Sequence, residues 1–121
     1  MRVLVIGAGG REHALAWRLA RTAEVYAIPG NPGMAEVGTC LPAGDPAAAA
    51  SEIGADLVVV GPEAPLVAGV VDRLRKMGRR VVGPVAENAR LEGSKLFAKN
   101  FMVQSSIPTA DFVKVENETD A

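Results

Sequence analysis

The chain has 121 residues, of which 49% are hydrophobic and 4% aromatic, so one compact domain with an aliphatic core is expected and disorder is not. The net charge of −1 gives no indication of binding to nucleic acid or to an anionic membrane. The single cysteine, Cys40, excludes a disulfide within the chain and a cysteine-cluster metal site.

The first half of the chain alternates short apolar runs with helical patterns. Strands are predicted where glycine or proline bounds such runs, at residues 2–6 and 24–28, with a short edge strand at 37–41. Leu15 and Leu19 lie four apart on one face of a helix predicted over residues 11–22. Asp45 as N-cap and Pro46 at the first helical position predict the start of another helix.

The second half continues the alternation. Strands are predicted at residues 56–60 and 79–83, and loops at 29–34 and 61–66. One helix is predicted over residues 67–77, closed by Gly78, and another from the cap Ser94 to about Gln104. Residues 84–93 are expected to form a loop with a short helix. Residues 105–115 are expected to form a loop followed by a strand at 110–115, ahead of a polar tail.

Strands that alternate with helices as far as residue 83 predict an α/β fold. We expect a doubly wound, mainly parallel sheet with helices on both faces, which is a Rossmann-like arrangement. Residues 1–104 are predicted to form this N-terminal α/β domain, and residues 105–121 a linker and the first strand of a second domain. No apolar run approaches the roughly 20 residues of a membrane span, and no signal-peptide pattern follows Met1, so the expected location is cytoplasmic.

A glycine cluster, "VIGAGGREHA", joins the first predicted strand to the first helix. Backbone N–H groups of Gly9 and Gly10, and the positive end of the helix, suit a phosphate. Arg11 adds a guanidinium that can bind a phosphate monoester. The alternative is a plain tight turn. His13 is expected to pack at the helix start, and without a second histidine no zinc site is expected.

A dinucleotide site would require the pattern Gly-x-Gly-x-x-Gly/Ala and an acid at the end of the second strand. Gly7 and Gly9 match the first two positions, but Glu12 occupies the third, and the second strand ends at 28–30 without an acid. Both departures disfavour a nucleotide-dependent oxidoreductase. Glu12 could accept hydrogen bonds from ribose hydroxyls or could interact only with the helix dipole.

A second candidate loop contains Glu63, directly after the strand at 56–60. If this strand lies beside the strand at 2–6, the two loops meet at the carboxyl edge of the sheet, where ligands bind in open α/β folds. Glu63 could then hold sugar hydroxyls, with neighbouring Pro62 fixing the backbone; the alternative is a solvated loop glutamate. Asn31 is a third candidate, or only a turn residue.

Taken together, these segments resemble one family. "VLVIGAGGREHALAW", "PGNPG", "VVVGPEAPLVAGVVD" and "LEGSKLFAKNFM…IPTA" occur in this order in the phosphoribosylamine–glycine ligases, also called glycinamide ribonucleotide synthetases, which are ATP-grasp enzymes. The resemblance implies ligation of glycine to 5-phosphoribosylamine in de novo purine biosynthesis. ATP is the co-substrate, with Mg²⁺ or Mn²⁺. A glycyl acyl phosphate is formed, and the products are glycinamide ribonucleotide, ADP and phosphate.

The resemblance also implies roles for individual residues. The phosphate is expected near the glycine cluster and Arg11, and the ribose near Glu12 and Glu63. The whole phosphoribosylamine site is expected to comprise Gly9, Gly10, Arg11, Glu12, Asn31, Pro62 and Glu63. Lys95 matches a basic residue that reaches ATP phosphates, although it could be an exposed helix lysine. Lys99 is expected to be a solvated helix charge.

The family's enzymes are longer, so the resemblance implies that residues 105–121 open a truncated ATP-grasp domain. Catalytic residues, metal ligands and a bound cofactor are not expected within this chain, which is expected to be inactive alone. The partners implied are small molecules, with no nucleic acid or membrane, and the full enzyme is expected to be a monomer. A non-catalytic α/β module remains the alternative.

Overall fold

In the computed structural model, which describes residues 1–115, five parallel strands form one sheet in the order β3-β2-β1-β4-β5. The strands are β1 (Arg2–Gly7), β2 (Glu24–Pro29), β3 (Thr39–Cys40), β4 (Leu57–Val60) and β5 (Arg80–Val82). The five predicted strands up to residue 83 are therefore confirmed. The predicted polar tail at 116–121 lies outside the described residues.

Seven helices lie among the described residues. They are α1 (Gly10–Leu19), α2 (Pro32–Ala35), α3 (Pro46–Glu52), α4 (Glu63–Val67), α5 (Val70–Lys76), α6 (Ala86–Gly93) and α7 (Lys95–Gln104). Within residues 1–115, no helix combines the length and apolarity needed to cross a membrane.

The sheet separates two apolar cores because side chains alternate along each strand. Val3 and Val5 of β1 pack in one core with residues of α1 and α2. Leu4 and Ile6 face the other side, in a core that includes residues of α3, α4, α5 and α6. The predicted doubly wound fold with helices on both faces is confirmed.

Two predicted helix caps are present. The Asp45 carboxylate accepts a hydrogen bond from the Ala47 N–H at 3.2 Å, and the Ser94 hydroxyl accepts from the Phe97 N–H at 3.3 Å. Asp45 also receives a hydrogen bond from Arg73 of α5 at 2.7 Å, which ties α3 to α5. The Arg73 guanidinium holds the pKa of Asp45 below its ordinary value.

Several boundaries differ from those predicted. The single helix predicted over 67–77 is wrong: α4 and α5 are separated at Gly69, whose φ of +82° breaks the helix. The loop predicted over 61–66 is shorter, because α4 already begins at Glu63. Residues 84–93 are mostly the helix α6, since Ala86 and the residues that follow include no helix breaker before Gly93.

The segments around α1 and α2 also differ. The predicted helix over 11–22 ends at Leu19, whose carbonyl accepts the N–H groups of Thr22 and Ala23 at 3.0 Å in a tight turn. The loop predicted over 29–34 includes the short helix α2, with Pro32 at its first position.

The strand predicted over 110–115 is not formed, and residues 107–115 are neither helix nor strand. A strand needs a hydrogen-bonded neighbour, whereas the carbonyl of Ala110 accepts from Lys99 Nζ at 2.8 Å. Lys99 also donates to the Thr109 hydroxyl at 2.8 Å. The interpretation of Lys99 as a solvated charge is therefore wrong, because it anchors this segment to α7. The domain division at residue 104 stays a prediction.

Candidate functional site

Three loops meet at the carboxyl edge of the sheet, after β1, β2 and β4. β1 lies between β2 and β4, with Ile6 opposite Ile28 on one side and Val60 on the other. The chain leaves β1 toward β2 and later returns to β4 on the opposite side, so the crevice between β1 and β4 is the topological switch point. The predicted adjacency of the two strands is confirmed, and in open α/β sheets this crevice binds ligands.

The loop after β1 is built for close approach to the start of α1. Gly7 has a φ of +128°, a conformation that favours glycine, and Gly9 is the extended N-cap of α1. The first-turn N–H groups of Gly10 and Arg11 have no intrahelical acceptor. A Cβ placed on Gly10 would meet no atom within 4 Å. An anion can therefore approach the positive end of this helix at Gly10.

Glu12 is the one charged side chain that is buried among residues 1–115, with 5% of its surface exposed. Its Oε2 accepts the Gly9 N–H at 2.8 Å, and its Oε1 accepts from Arg11 Nε at 3.1 Å. Of the two roles left open by the sequence, the structure displays the interaction with the helix terminus. Contact of Glu12 with a ribose stays a prediction.

Arg11 connects the loops after β1 and β4. Its Nη2 donates to the carbonyl oxygen of Gly61, while Nε donates to Glu12. The side chain is 60% exposed, so a guanidinium edge is accessible from solvent. An exposed cation beside a helix N-terminus is an arrangement that attracts phosphate.

Pro62 and Glu63 lie beside the glycine loop. Pro62 is the N-cap of α4, and its Cδ would be 2.9 Å from a Cβ placed on Gly7. Glu63 is the first residue of α4 and is exposed. Its carboxylate is therefore accessible at the edge of the sheet where the crevice lies.

Asn31 joins the loop after β2 to the same centre. Its Nδ2 donates to the Ala8 carbonyl at 2.9 Å, and its Oδ1 accepts the Met34 N–H at 2.9 Å as the N-cap of α2. These contacts are those of the turn-residue alternative, and binding of substrate by Asn31 stays a prediction. His13 lies against Gly33, where a Cβ would overlap its ring, so the expected packing role is confirmed.

Lys95 is the first residue of α7 and is exposed. Its helix packs chiefly against α6. Lys95 lines a cavity of about 410 Å³ together with Leu91, Lys99 and Thr109. None of the residues predicted to bind the sugar phosphate lines that cavity. The role predicted for Lys95 toward ATP therefore concerns a different place from the crevice.

Sequence reasoning missed Gly61. The Gly61 carbonyl oxygen accepts a hydrogen bond from Arg11 Nη2, and a Cβ placed on Gly61 would overlap the Glu12 carboxylate. The available signal was a glycine at the end of β4, opposite the glycine cluster that follows β1. Over residues 1–115, no cluster of three or more histidine, cysteine or acidic side chains is placed to hold a metal ion.

The sequence matches a known family and curated proteins. The family described as "Phosphoribosylglycinamide synthetase, N domain" matches residues 1–92. The phosphoribosylamine–glycine ligase of Xanthomonas campestris is 48% identical over an alignment that covers 100% of this chain and 30% of that protein. The ligase of Streptomyces coelicolor is 52% identical, with 91% of this chain and 28% of that protein covered. The chain thus spans about 30% of the length of these relatives.

Solved structures share the fold. The crystal structure of phosphoribosylamine–glycine ligase from Thermotoga maritima matches with a TM-score of 0.67 and 36% identity, covering 92% of this chain and 26% of that chain. A multifunctional pyruvate carboxylase from Rhizobium etli matches with a TM-score of 0.62 and 20% identity, covering 93% of this chain and 13% of that one. The second match shows only a common fold.

Proposed function

The chain belongs to the family of the phosphoribosylglycinamide synthetase N domain, and on that premise we propose that its β1–β4 crevice binds the phosphoribosyl group of 5-phosphoribosylamine. The chain covers only 30% of a related ligase, so the activity of the whole enzyme is part of the proposal. One observation carries it. The accessible N-terminus of α1, the exposed Arg11 and the exposed Glu63 belong to loops that meet at the topological switch point.

Each residue of the crevice has a role in the proposal. The 5′-phosphate accepts hydrogen bonds from the amides of Gly10 and Arg11 and from the Arg11 guanidinium, because these donors lie together at a positive helix end. Gly9 lines the approach, and its own N–H remains bound to Glu12. The Glu63 carboxylate accepts from ribose hydroxyls.

Walls on either side complete the crevice in this proposal. Asn31 holds the loop after β2 against Ala8, and Pro62 holds the loop after β4 against Gly7. A sugar phosphate between these two loops is held through its phosphate and through its ribose hydroxyls. Its amine is then oriented before the reaction, so less entropy is lost on reaching the transition state.

The proposed reaction joins glycine to the amine of 5-phosphoribosylamine in de novo purine biosynthesis, with conversion of ATP to ADP and phosphate. ATP and Mg²⁺ or Mn²⁺ would supply the activation of the glycine carboxylate. The described residues contain no acidic cluster for a metal ion, so the role proposed for this chain is to bind and orient the sugar phosphate. Lys95 is proposed to face an ATP phosphate, and a cytoplasmic, monomeric enzyme is proposed.

The alternative of a nicotinamide-dependent oxidoreductase is disfavoured by a specific observation. Glu12 stands at the third position of the dinucleotide fingerprint, buried against Gly7 and Gly61. The end of β2, where an acid would bind the adenosine ribose, is Pro29.

Titration of the ¹⁵N-labelled chain with ribose 5-phosphate tests the proposed site. We expect amide shifts at Gly10, Arg11 and Glu63, with only weak shifts on addition of ribose without phosphate. Arg11→Ala should weaken binding about tenfold or more, since a charge-assisted hydrogen bond contributes roughly 1.5–3 kcal/mol. Arg18→Ala, on an exposed turn of the same helix, is the matched control and should leave binding unchanged.

Two outcomes would contradict the proposal. Shifts confined to residues outside the crevice would place the sugar phosphate elsewhere. Tight binding of NADH together with no response to ribose 5-phosphate would favour the oxidoreductase.

A further inference from the structure

The Glu12 carboxylate lies in a cage formed by glycines of two loops. A Cβ on Gly7 would come within 2.7 Å of Glu12 Cγ, and one on Gly9 would come within 2.7 Å of Oε2. A Cβ on Gly61, across the crevice on the loop after β4, would overlap the carboxylate itself. The absence of side chains at these three glycines therefore provides the space that the buried Glu12 side chain occupies.

Backbone conformation does not explain two of these glycines. Gly9 has a φ of −84°, and Gly61 is not among the glycines with positive φ, so an alanine could adopt either backbone. Apart from chain neighbours, the only atoms within 4 Å of a Cβ added at Gly9 belong to Glu12, and the three atoms nearest to a Cβ added at Gly61 also belong to Glu12. At Gly10, the first residue of α1, a Cβ meets no atom outside its chain neighbours and its own helix backbone. The requirement for glycine at 9 and 61 thus comes from the Glu12 side chain.

Glu12 also fixes the position of Arg11. Its Oε1 accepts from Arg11 Nε at 3.1 Å, and the Gly61 carbonyl accepts from Arg11 Nη2. Two of the three guanidinium nitrogens, Nε and Nη2, are therefore held from within the crevice. The remaining N–H groups lie on an exposed side chain that an anion can reach.

A buried carboxylate is costly unless its oxygens are paired. Here the Gly9 N–H, the positive end of α1 and the Arg11 guanidinium compensate for the charge. Removal of Glu12 would therefore release Arg11 and vacate the space between the two loops.

We propose that Glu12 is a positioning residue: it makes no contact with the sugar phosphate and acts by holding the Arg11 guanidinium and the Gly61 loop in their binding positions. The inference deepens the proposed function and rests on it for its ligand. It replaces the expectation that Glu12 binds ribose hydroxyls directly. Gly61 contributes to this positioning role, because the absence of a side chain at this residue leaves room for the Glu12 carboxylate.

The first experiment tests the packing of Glu12 against Gly61 without any ligand. Urea unfolding midpoints are compared for wild type, Gly61→Ala, Glu12→Ala and the double variant, with Gly10→Ala as the matched control. We expect Gly61→Ala to lower the midpoint strongly, Gly10→Ala to leave it unchanged or raised, and Gly61→Ala to have little further effect in the Glu12→Ala background. An equal loss from Gly61→Ala in both backgrounds would overturn the inference.

A second measurement follows Arg11 itself, using the isosteric Glu12→Gln in case Glu12→Ala does not fold. The ¹⁵N–¹H signal of Arg11 Nε should be resolved and slow to exchange in wild type. In Glu12→Gln it should shift toward the position of a solvated arginine. An unchanged Arg11 signal in this variant would contradict the positioning role, whether or not any sugar phosphate binds.

The third measurement uses ribose 5-phosphate and a double-mutant cycle. Glu12→Gln should weaken binding about tenfold in the wild-type background, since one charge-assisted contact is misplaced. In the Arg11→Ala background the same change should alter binding less than twofold, because Glu12 acts through Arg11. A full, additive tenfold loss in that background would instead assign Glu12 to direct contact with the sugar.

If wild type does not bind ribose 5-phosphate, the proposed function fails. The unfolding cycle and the Arg11 signal still decide whether Glu12 positions Arg11.

Discussion

The carboxyl edge of β1, β2 and β4 differs sharply from the surface formed by α7 and residues 105–115. At the carboxyl edge, side chains join one loop to the next: Asn31 donates to the Ala8 carbonyl at 2.9 Å and Arg11 donates to the Gly61 carbonyl. The second surface exposes large apolar side chains, namely Phe101, Val103, Ile107, Val113 and Val115. Its last segment is held to the helix by hydrogen bonds from Lys99 to Thr109 and Ala110.

The difference indicates which part of this domain is preorganised for ligand binding. Hydrogen bonds that link separate loops hold the crevice in one geometry before a ligand binds, which lowers the entropy cost of binding. A surface segment that is neither helix nor strand, such as residues 107–115, opens locally at low free-energy cost. We therefore expect substitutions at the carboxyl edge to affect global stability and substitutions around α7 to act locally.

The largest effect is expected for Gly7→Ala. The φ of +128° strains any side chain, and the added Cβ lies 2.7 Å from Glu12 Cγ and 2.9 Å from Pro62 Cδ. Backbone strain and overpacking together should lower the free energy of unfolding by about 3–5 kcal/mol. Chemical denaturation measures this loss.

Gly44→Ala is its matched control, because the nearest atom to the added Cβ is the Pro42 carbonyl oxygen at 3.9 Å. Its stability should stay within about 0.5 kcal/mol of wild type. Equal losses from the two substitutions would show that the carboxyl edge is not crowded as described.

A smaller effect is expected for Asn31→Ala. The substitution removes the N-cap of α2 and the hydrogen bond to the Ala8 carbonyl, which should cost about 1–2 kcal/mol. Asn100→Ala, at an exposed position of α7, should cost less than about 0.5 kcal/mol. A loss from Asn100→Ala as large as that from Asn31→Ala would remove the contrast between the two regions.

The smallest global effect is expected for Lys99→Ala. The two hydrogen bonds at 2.8 Å from Lys99 hold a segment at the surface, so their loss should change global stability by less than about 1 kcal/mol. Protease or amide-exchange protection near Thr109 and Ala110 should fall about fivefold. Lys95→Ala is the control, and an equal loss of protection there would argue against the anchor.

The sequence was sufficient for the parts of the fold that local patterns determine. The strand that ends at Gly7 and the cap at Asp45 follow from short-range signals, and both are present. The strand predicted at 110–115 failed because strand formation depends on a neighbour that local sequence does not specify.

The candidate site shows the same limit. Sequence alone identified the loops that carry Arg11 and Glu63, and sheet order brought them together. It did not reveal that both Glu12 oxygens are bound internally, or that Gly61 makes room for them. The bonds of Glu12 to Gly9 and Arg11 are local in sequence, but the contact of Arg11 with Gly61 joins residues 50 positions apart and emerges only from tertiary packing.

A crystal structure of the chain with ribose 5-phosphate tests the central claim most directly. We predict the phosphate on the amides of Gly10 and Arg11, with ribose hydroxyls toward Glu63 and with Glu12 still bound to Gly9. A phosphate bound instead beside Lys95, or a sugar hydroxyl bonded to a displaced Glu12, would contradict the account.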